Sequence, residues 1–232
     1  MFEKYAQDYY AGKKTTSDIL KEESIDYWEL YEIMKNEGFL PYRSICDSLE
    51  TNDKSLKKLL RGKYAHLTLR CRGGSTDTYG HYLGMDHLSI IEWVDFCNKN
   101  MARIEELWGN YLNSGKSLKF AVSIDRIDNE KGYLIDNIEF VTHGYNSWKR
   151  SAIRPIMAKL RDEREWGYFM SCQEAGRRLG IRFQDLGEIL AGNKYVNKKY
   201  QVKLSSQKDV LLMNNVETLE DYYNKYYIGG SK

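Results

Sequence analysis

Asp125 and Asn146 are the side chains best placed along this chain to do chemistry, because both offer oxygen donors within one short run of alternating patterns. Residues 122–127 (Val-Ser-Ile-Asp-Arg-Ile) and 137–142 (Asn-Ile-Glu-Phe-Val-Thr) read as strands, with the turn formers Asp128, Asn129 and Gly132 between them. From His143 onward the pattern turns helical. The order strand, loop, strand, helix predicts Asp125 on the first strand and Asn146 one turn into the helix. Their oxygens would then meet one hard cation such as Mg²⁺, which takes oxygen ligands and keeps several waters for a substrate phosphate. Asp128 and Asp136 stand in turn contexts, where aspartate usually bonds its neighbouring backbone, so turn chemistry is the preferred reading for both.

The elements around this run must position it. Residues 17–23 and 27–35 carry apolar side chains at helical spacing around the break Ser24-Ile25-Asp26, with Gly38 as a stop. After Pro41 a second helical pair is expected at 44–49 and 55–64, and a third at 171–181 and 185–195. The second and third pairs both end in Leu-x-x-(Leu/Ile)-Leu-x-Gly. In the third, Ser171 can cap the helix while Glu174 reaches back to complete a capping box, and Gly180 sits where a tight turn between crossing helices is wanted. Any helical hairpin shares that pattern. Residues 90–97 and 101–108 read as further helices, and the glycines of 72–75 lack the spacing of phosphate-cradling loops, so they read as turns.

Charge separates one part of the chain from the rest. The 232 residues carry a net charge of only +2, yet residues 141–203 hold 13 Lys and Arg against 6 Asp and Glu. Such a block is the electrostatic footprint of a polyanion site, with a merely solvated face as its bland alternative. Within it, Lys149, Arg150, Arg154, Arg177, Arg178, Arg182, Lys194, Lys198 and Lys199 are the expected phosphate contacts around a groove-inserted helix. The four cysteines, Cys46, Cys71, Cys97 and Cys172, form no CxxC pair and read as reduced core thiols. His66, His81 and His87 show no ligand spacing. Tyr222 to Tyr227 read as a terminal helix packed on the body rather than as base-stacking rings. No stretch is long and apolar enough to cross a bilayer, and the first ten residues lack a leader pattern, so an unexported, soluble chain is expected.

The run Ile124-Asp125-Arg126-Ile127-Asp128-Asn129, Gly132-Tyr133, Asn137, Glu139-Phe140-Val141-Thr142 and Asn146 resembles the core of the HNH, or ββα-metal, endonucleases, most closely their phage and intron-homing branch. A weaker likeness runs upstream through Arg70-Cys71, Tyr79, Gly84, Trp93 and Phe96, covering about residues 65–150. Residues 169–202 resemble the small helix-turn-helix modules that follow such cores in homing endonucleases. The resemblance implies phosphodiester hydrolysis by metal-assisted water attack. Asp125 and Asn146 match the metal ligands, and Asn137 matches the residue that holds the two-strand loop in shape. Position 126 departs from the better-known Asp-His form. Arg126 stays protonated and cannot serve as a base, so it is expected to bind the scissile phosphate or stabilise its developing charge. His143 is the substitute base within the motif, with a surface or capping role as its alternative.

These readings combine into an α+β chain with a central ββα-metal core flanked by helix-turn-helix-like modules. The expected segments are 1–64 (helical), 65–150 (nuclease core), 151–168 (basic linker), 169–204 (helix-turn-helix) and 205–232 (helical tail). The expected function is a Mg²⁺- or Mn²⁺-dependent endonuclease acting on double-stranded DNA, phage-encoded and cytoplasmic in a bacterial host. A second copy of the chain or a phage protein is its expected further partner, and no membrane. The rival is a DNA-binding regulator or adaptor that keeps the fold without cleavage.

Overall fold

Capping chemistry fixes where most of the helices begin. The computed structural model describes residues 1–72, 82–193 and 199–229, the side chains of residues 150–152 excepted. It opens on α1 (Glu3–Tyr10), followed by α2 (Thr16–Glu23) and α3 (Tyr27–Asn36), whose caps Thr15 and Asp26 close capping boxes with Asp18 and Glu29. Ser24 ends α2 in the left-handed region at φ 55°, which turns the chain between the two helices. After α4 (Tyr42–Asp47) comes α5 (Lys54–Cys71), capped by Asp53. This helix runs without interruption through Gly62 and across residue 64, where the sequence reading places a stop and a domain boundary. Tyr64, Leu67, Thr68 and Cys71 continue the buried stripe beyond the glycine, so packing carries the helix through a residue of weak propensity.

The chain divides into two compact units, Met1–His143 and Gly144–Lys232. In the first, Phe2, Tyr9, Ile19, Leu30 and Met34 form one apolar cluster among α1, α2 and α3. A larger core gathers Leu56, Leu60, Tyr64 and Leu67 of α5 with Trp93 and Phe96 of α6 (Ile90–Lys99) and Ile104 and Leu107 of α7 (Met101–Asn113). Val122, Ile138 and Phe140 join it from an antiparallel pair, β1 (Val122–Arg126) and β2 (Ile138–Thr142). Cys46, Cys71 and Cys97 are buried in this core and unpaired.

The second unit begins within α8 (His143–Ala152). Its sheet has the order β4-β3-β5, built from β3 (Ile156–Leu160), β4 (Gly167–Phe169) and β5 (Tyr200–Leu204), all antiparallel. Two of these strands stand where the sequence reading places a linker over 151–168. Ile156 and Ala158 point inward at strand spacing and meet Phe169, Ala175, Ile181 and Leu186, which is what orders the segment. The helical pair α9 (Cys172–Leu179) and α10 (Phe183–Leu190) covers this sheet, joined through Gly180 at φ 68°. Then come α11 (Gln207–Met213), α12 (Leu219–Tyr223) and a π-helical turn at Asn224–Ile228. The architecture is mixed α+β, and among the described residues no helix is long and apolar enough to cross a membrane.

Candidate functional site

β1 and β2 pair in a register that sets Asp125 opposite Glu139 and Arg126 opposite Ile138. Side chains alternate along a strand, so Val122, Ile124 and Arg126 share one face of β1 and Ser123 and Asp125 the other. Val122 and Ile124 pack into the large core, which makes the Arg126 face the inner one. Asp125 is only 4% exposed and Arg126 only 6%, so both charges lie inside the protein. A buried carboxylate is costly unless something compensates it, and a bound cation is one such compensation.

Arg126 is held in an aromatic cage. Its guanidinium lies 4.7 Å from the centroid of the Tyr82 ring and 5.3 Å from that of Tyr133. One of its nitrogens donates to the Lys131 carbonyl at 2.8 Å and touches Met85 Sδ at 3.1 Å. Tyr133 accepts from Arg70 through its hydroxyl at 3.2 Å, and burial raises its phenol above the usual range. The backbone of this segment is clipped to an earlier one: Tyr133 N donates to Asp86 O at 2.9 Å and Leu88 N to Tyr133 O at 3.0 Å. Gly132 makes that approach feasible, since a Cβ there would stand 2.0 Å from Asp86 O. Tyr133 is only 4% exposed, and its ring forms one wall of the cage. Tyr82 and Met85 lie about 40 residues from Arg126, and no local signal marks them.

Asn137 fastens the loop between the strands. Its side-chain oxygen accepts from Asp128 N at 2.8 Å, and its Nδ2 donates to Asp128 O at 3.0 Å and Gly132 O at 2.8 Å. Its own carbonyl accepts from Ile127 N at 2.9 Å. Asn137 itself is only 3% exposed, and these bonds leave its amide no role at a substrate's reacting atoms. Asp128 makes the local turn contact expected of it, accepting from Glu130 N at 3.0 Å, and Asp136 is exposed.

His143 is the exposed first residue of α8, and its backbone N–H donates to Ala121 O at 2.7 Å, tying the helix start to the foot of β1. Asp125, Arg126, Asn137 and His143 therefore belong to one hairpin and its exit, all in the first unit. Asn146, half-buried on α8, belongs to the second. Among the described residues no three His, Cys, Asp or Glu side chains converge as metal ligands. An aspartate paired with an asparagine is not such a group. The donor chemistry of Asp125 and Asn146, a carboxylate and an amide oxygen, suits Mg²⁺ or Mn²⁺ rather than a soft metal.

The basic residues of the second unit fall into two kinds. Arg178 donates to Glu174 Oε1 at 2.9 Å and lies over Phe169 at 4.9 Å and Tyr226 at 4.1 Å. Glu174, with its side chain fully buried, also accepts from Tyr222 OH at 2.7 Å and from Met170 N at 3.0 Å. Ser171 caps α9 as expected, while the carboxylate reaches one residue further back than a capping box requires. Arg177 donates to Tyr226 O at 3.1 Å and lies over Tyr227 at 5.0 Å. These two arginines clasp the C-terminal tail. Arg154, Arg182 and Lys199 are exposed, and Lys149 is half-buried. Arg182 stands 4.0 Å from Asp185 with its side chain 77% exposed. Lys194, Lys198 and the Arg150 side chain lie outside the described residues. No family model matches the chain, and comparison with curated proteins and with solved structures returns no match.

Proposed function

We propose that this chain is a metal-dependent DNA endonuclease of the HNH type. The observation that carries the reading is an antiparallel hairpin with a buried carboxylate, Asp125, that runs directly into a helix carrying Asn146. Asp125 and Asn146 would hold the metal, with the remaining positions left to water and phosphate oxygens. The bound ion would polarise the phosphate and lower the pKa of its water. Asn137 fixes the loop that follows β1, and His143, exposed at the helix start, is the candidate to take a proton from the attacking water. The exposed basic residues Arg154, Arg182 and Lys199 would meet phosphates of double-stranded DNA, while Arg177 and Arg178 position α9. A homing or other phage role in a bacterial cytoplasm, acting as a dimer or with a phage partner, belongs to the same proposal.

One observation favours a second reading, a DNA-binding regulator without cleavage. Arg126 is engaged on the inner face of the hairpin, which leaves the phosphate without the cation expected there. Plasmid cleavage with Mg²⁺, Mn²⁺ or EDTA separates the two. Metal-dependent nicking or linearisation that Asp125→Ala and Asn146→Ala abolish, with DNA affinity kept within a few-fold, supports the endonuclease. Unimpaired cutting by either variant refutes the metal assignment, and DNA binding without cutting by the wild type supports the regulator.

A further inference from the structure

A cleft between α5 and α7, about 460 Å³ in volume, opens beside the foot of β1. Lys58, Lys63 and His66 of α5 line it on one side and Trp108 and Tyr111 of α7 on the other, with Ala121 and Val122 at its end. None of its lining residues is acidic. Lys63 has no hydrogen-bond or ion-pair partner among the described residues, although burial and the charge of Arg70 pull its ammonium below the usual lysine range. A half-buried cation without a carboxylate is an unfavourable way to fill a helix position, and an anion entering the cleft would reverse that. Asp53 caps α5 and accepts from Trp108 Nε1 at 2.7 Å, which holds the indole at the cleft wall. The Trp108 and Tyr111 rings lie 5.3 Å apart and tilted by 34°, a half-exposed aromatic pair beside the cations. Basic side chains with an adjoining aromatic platform are the means by which proteins grip a nucleic-acid strand, phosphate on the cations and base on the rings. The volume fits one nucleotide.

We propose that this cleft seats one nucleotide of a nucleic-acid strand, with Lys63 and Lys58 on its phosphate and Trp108 and Tyr111 against its base. The choice of a polynucleotide over other anions rests on the nuclease reading above. Val122 at the end of the cleft is three residues from Asp125 along β1, about 10 Å of extended chain, so the cleft and that carboxylate belong to the same part of the first unit. The cleft lies wholly in the first unit and in none of the segments that carry the basic block.

Fluorescence anisotropy of a labelled single-stranded oligonucleotide, recorded in EDTA, tests the assignment. Lys63→Met, which keeps the length and apolar stem of the side chain, should weaken binding about tenfold. It should also lower the slope of log K against log salt by about 0.7, the share of one phosphate on a single strand. Tyr111→Leu should weaken binding by a similar factor without changing the slope. Unchanged affinity and slope in Lys63→Met, with a melting temperature no lower than that of the wild type, overturn the proposal. Thymidine monophosphate and inorganic phosphate serve as competitors. Weak competition from both supports the strand, and displacement by the mononucleotide at the oligonucleotide's own concentration refutes it in favour of a free nucleotide. Because the assay needs no cleavage, a wild type that fails to cut plasmid sinks the nuclease reading and leaves this measurement standing.

Discussion

Replacing Arg126 by alanine distinguishes a caged structural arginine from one that acts on phosphate. The substitution removes a charge-assisted hydrogen bond to the Lys131 carbonyl, worth about 1.5 to 3 kcal/mol, and two ring contacts of about 0.5 to 2 kcal/mol each. It also empties the space that the guanidinium fills against the Tyr82 and Tyr133 rings. Relief of the buried charge offsets part of this, leaving a net loss of about 2 to 4 kcal/mol. For a chain of this size each kcal/mol moves the melting temperature by roughly 2 to 4 °C, so a fall of roughly 10 °C is expected. Scanning calorimetry and urea unfolding measure it directly, and plasmid cleavage is read well below the lowered transition. Arg126→Lys should fall between, since the ammonium retains the charge but not the planar face that lies against the two rings. If Arg126→Ala melts with the wild type while cleavage falls by roughly 10² to 10³, the guanidinium works on the substrate and the cage is not its purpose.

Asn137→Ala should destabilise by about 3 kcal/mol, because it strands the Asp128 N–H and two carbonyls, and the Asp128 amide should exchange faster by hydrogen–deuterium mass spectrometry. The two kinds of arginine in the second unit should separate cleanly. Arg178→Ala costs about 2 kcal/mol by leaving Glu174 short of its cation, with an unchanged salt dependence of DNA binding. Arg182→Ala leaves stability alone and reduces the salt slope by about 0.9 for each phosphate that the guanidinium neutralises. Lys63 makes a pH prediction. Its folded pKa lies below the unfolded value, so between the two the unfolded chain binds more protons and stability rises with pH, the penalty being complete below the folded value. Lys63→Met should melt higher than the wild type at neutral pH and lose that rise; an identical pH profile in the two proteins refutes the burial argument.

The parts of the molecule legible from sequence are those written locally. The break at Ser24-Ile25-Asp26 separates α2 from α3, the alternation in 122–127 and 137–142 gives the β1–β2 pair, and Ser171 and Gly180 bound α9. What escaped depends on partners far along the chain. Nothing around Arg126 announces Tyr82 or Met85, and nothing near Arg178 announces that Tyr222 and Tyr226 complete its surroundings. The strand β3 reads Ile-Met-Ala-Lys-Leu, without the alternation that marks β1, and β4 is only three residues long, so pairing with distant partners rather than local pattern makes them a sheet. α1 gives no capping signal at Phe2, and its helix is held by Tyr5 and Tyr9 in the aromatic cluster.

The bridge between His87 and Tyr133 also bears on when the hairpin can form. It joins segments some 46 residues apart, and closing a loop of that length costs on the order of 3 kcal/mol of chain entropy before any contact repays it. A two-stranded ribbon alone is marginal in water, so β1 and β2 must wait for α6 and α7 to present the surface on which they rest. The carboxylate of Asp125 is then sequestered only once that surface is in place. Partly folded chains, including those still leaving the ribosome, would carry the motif's residues without its geometry.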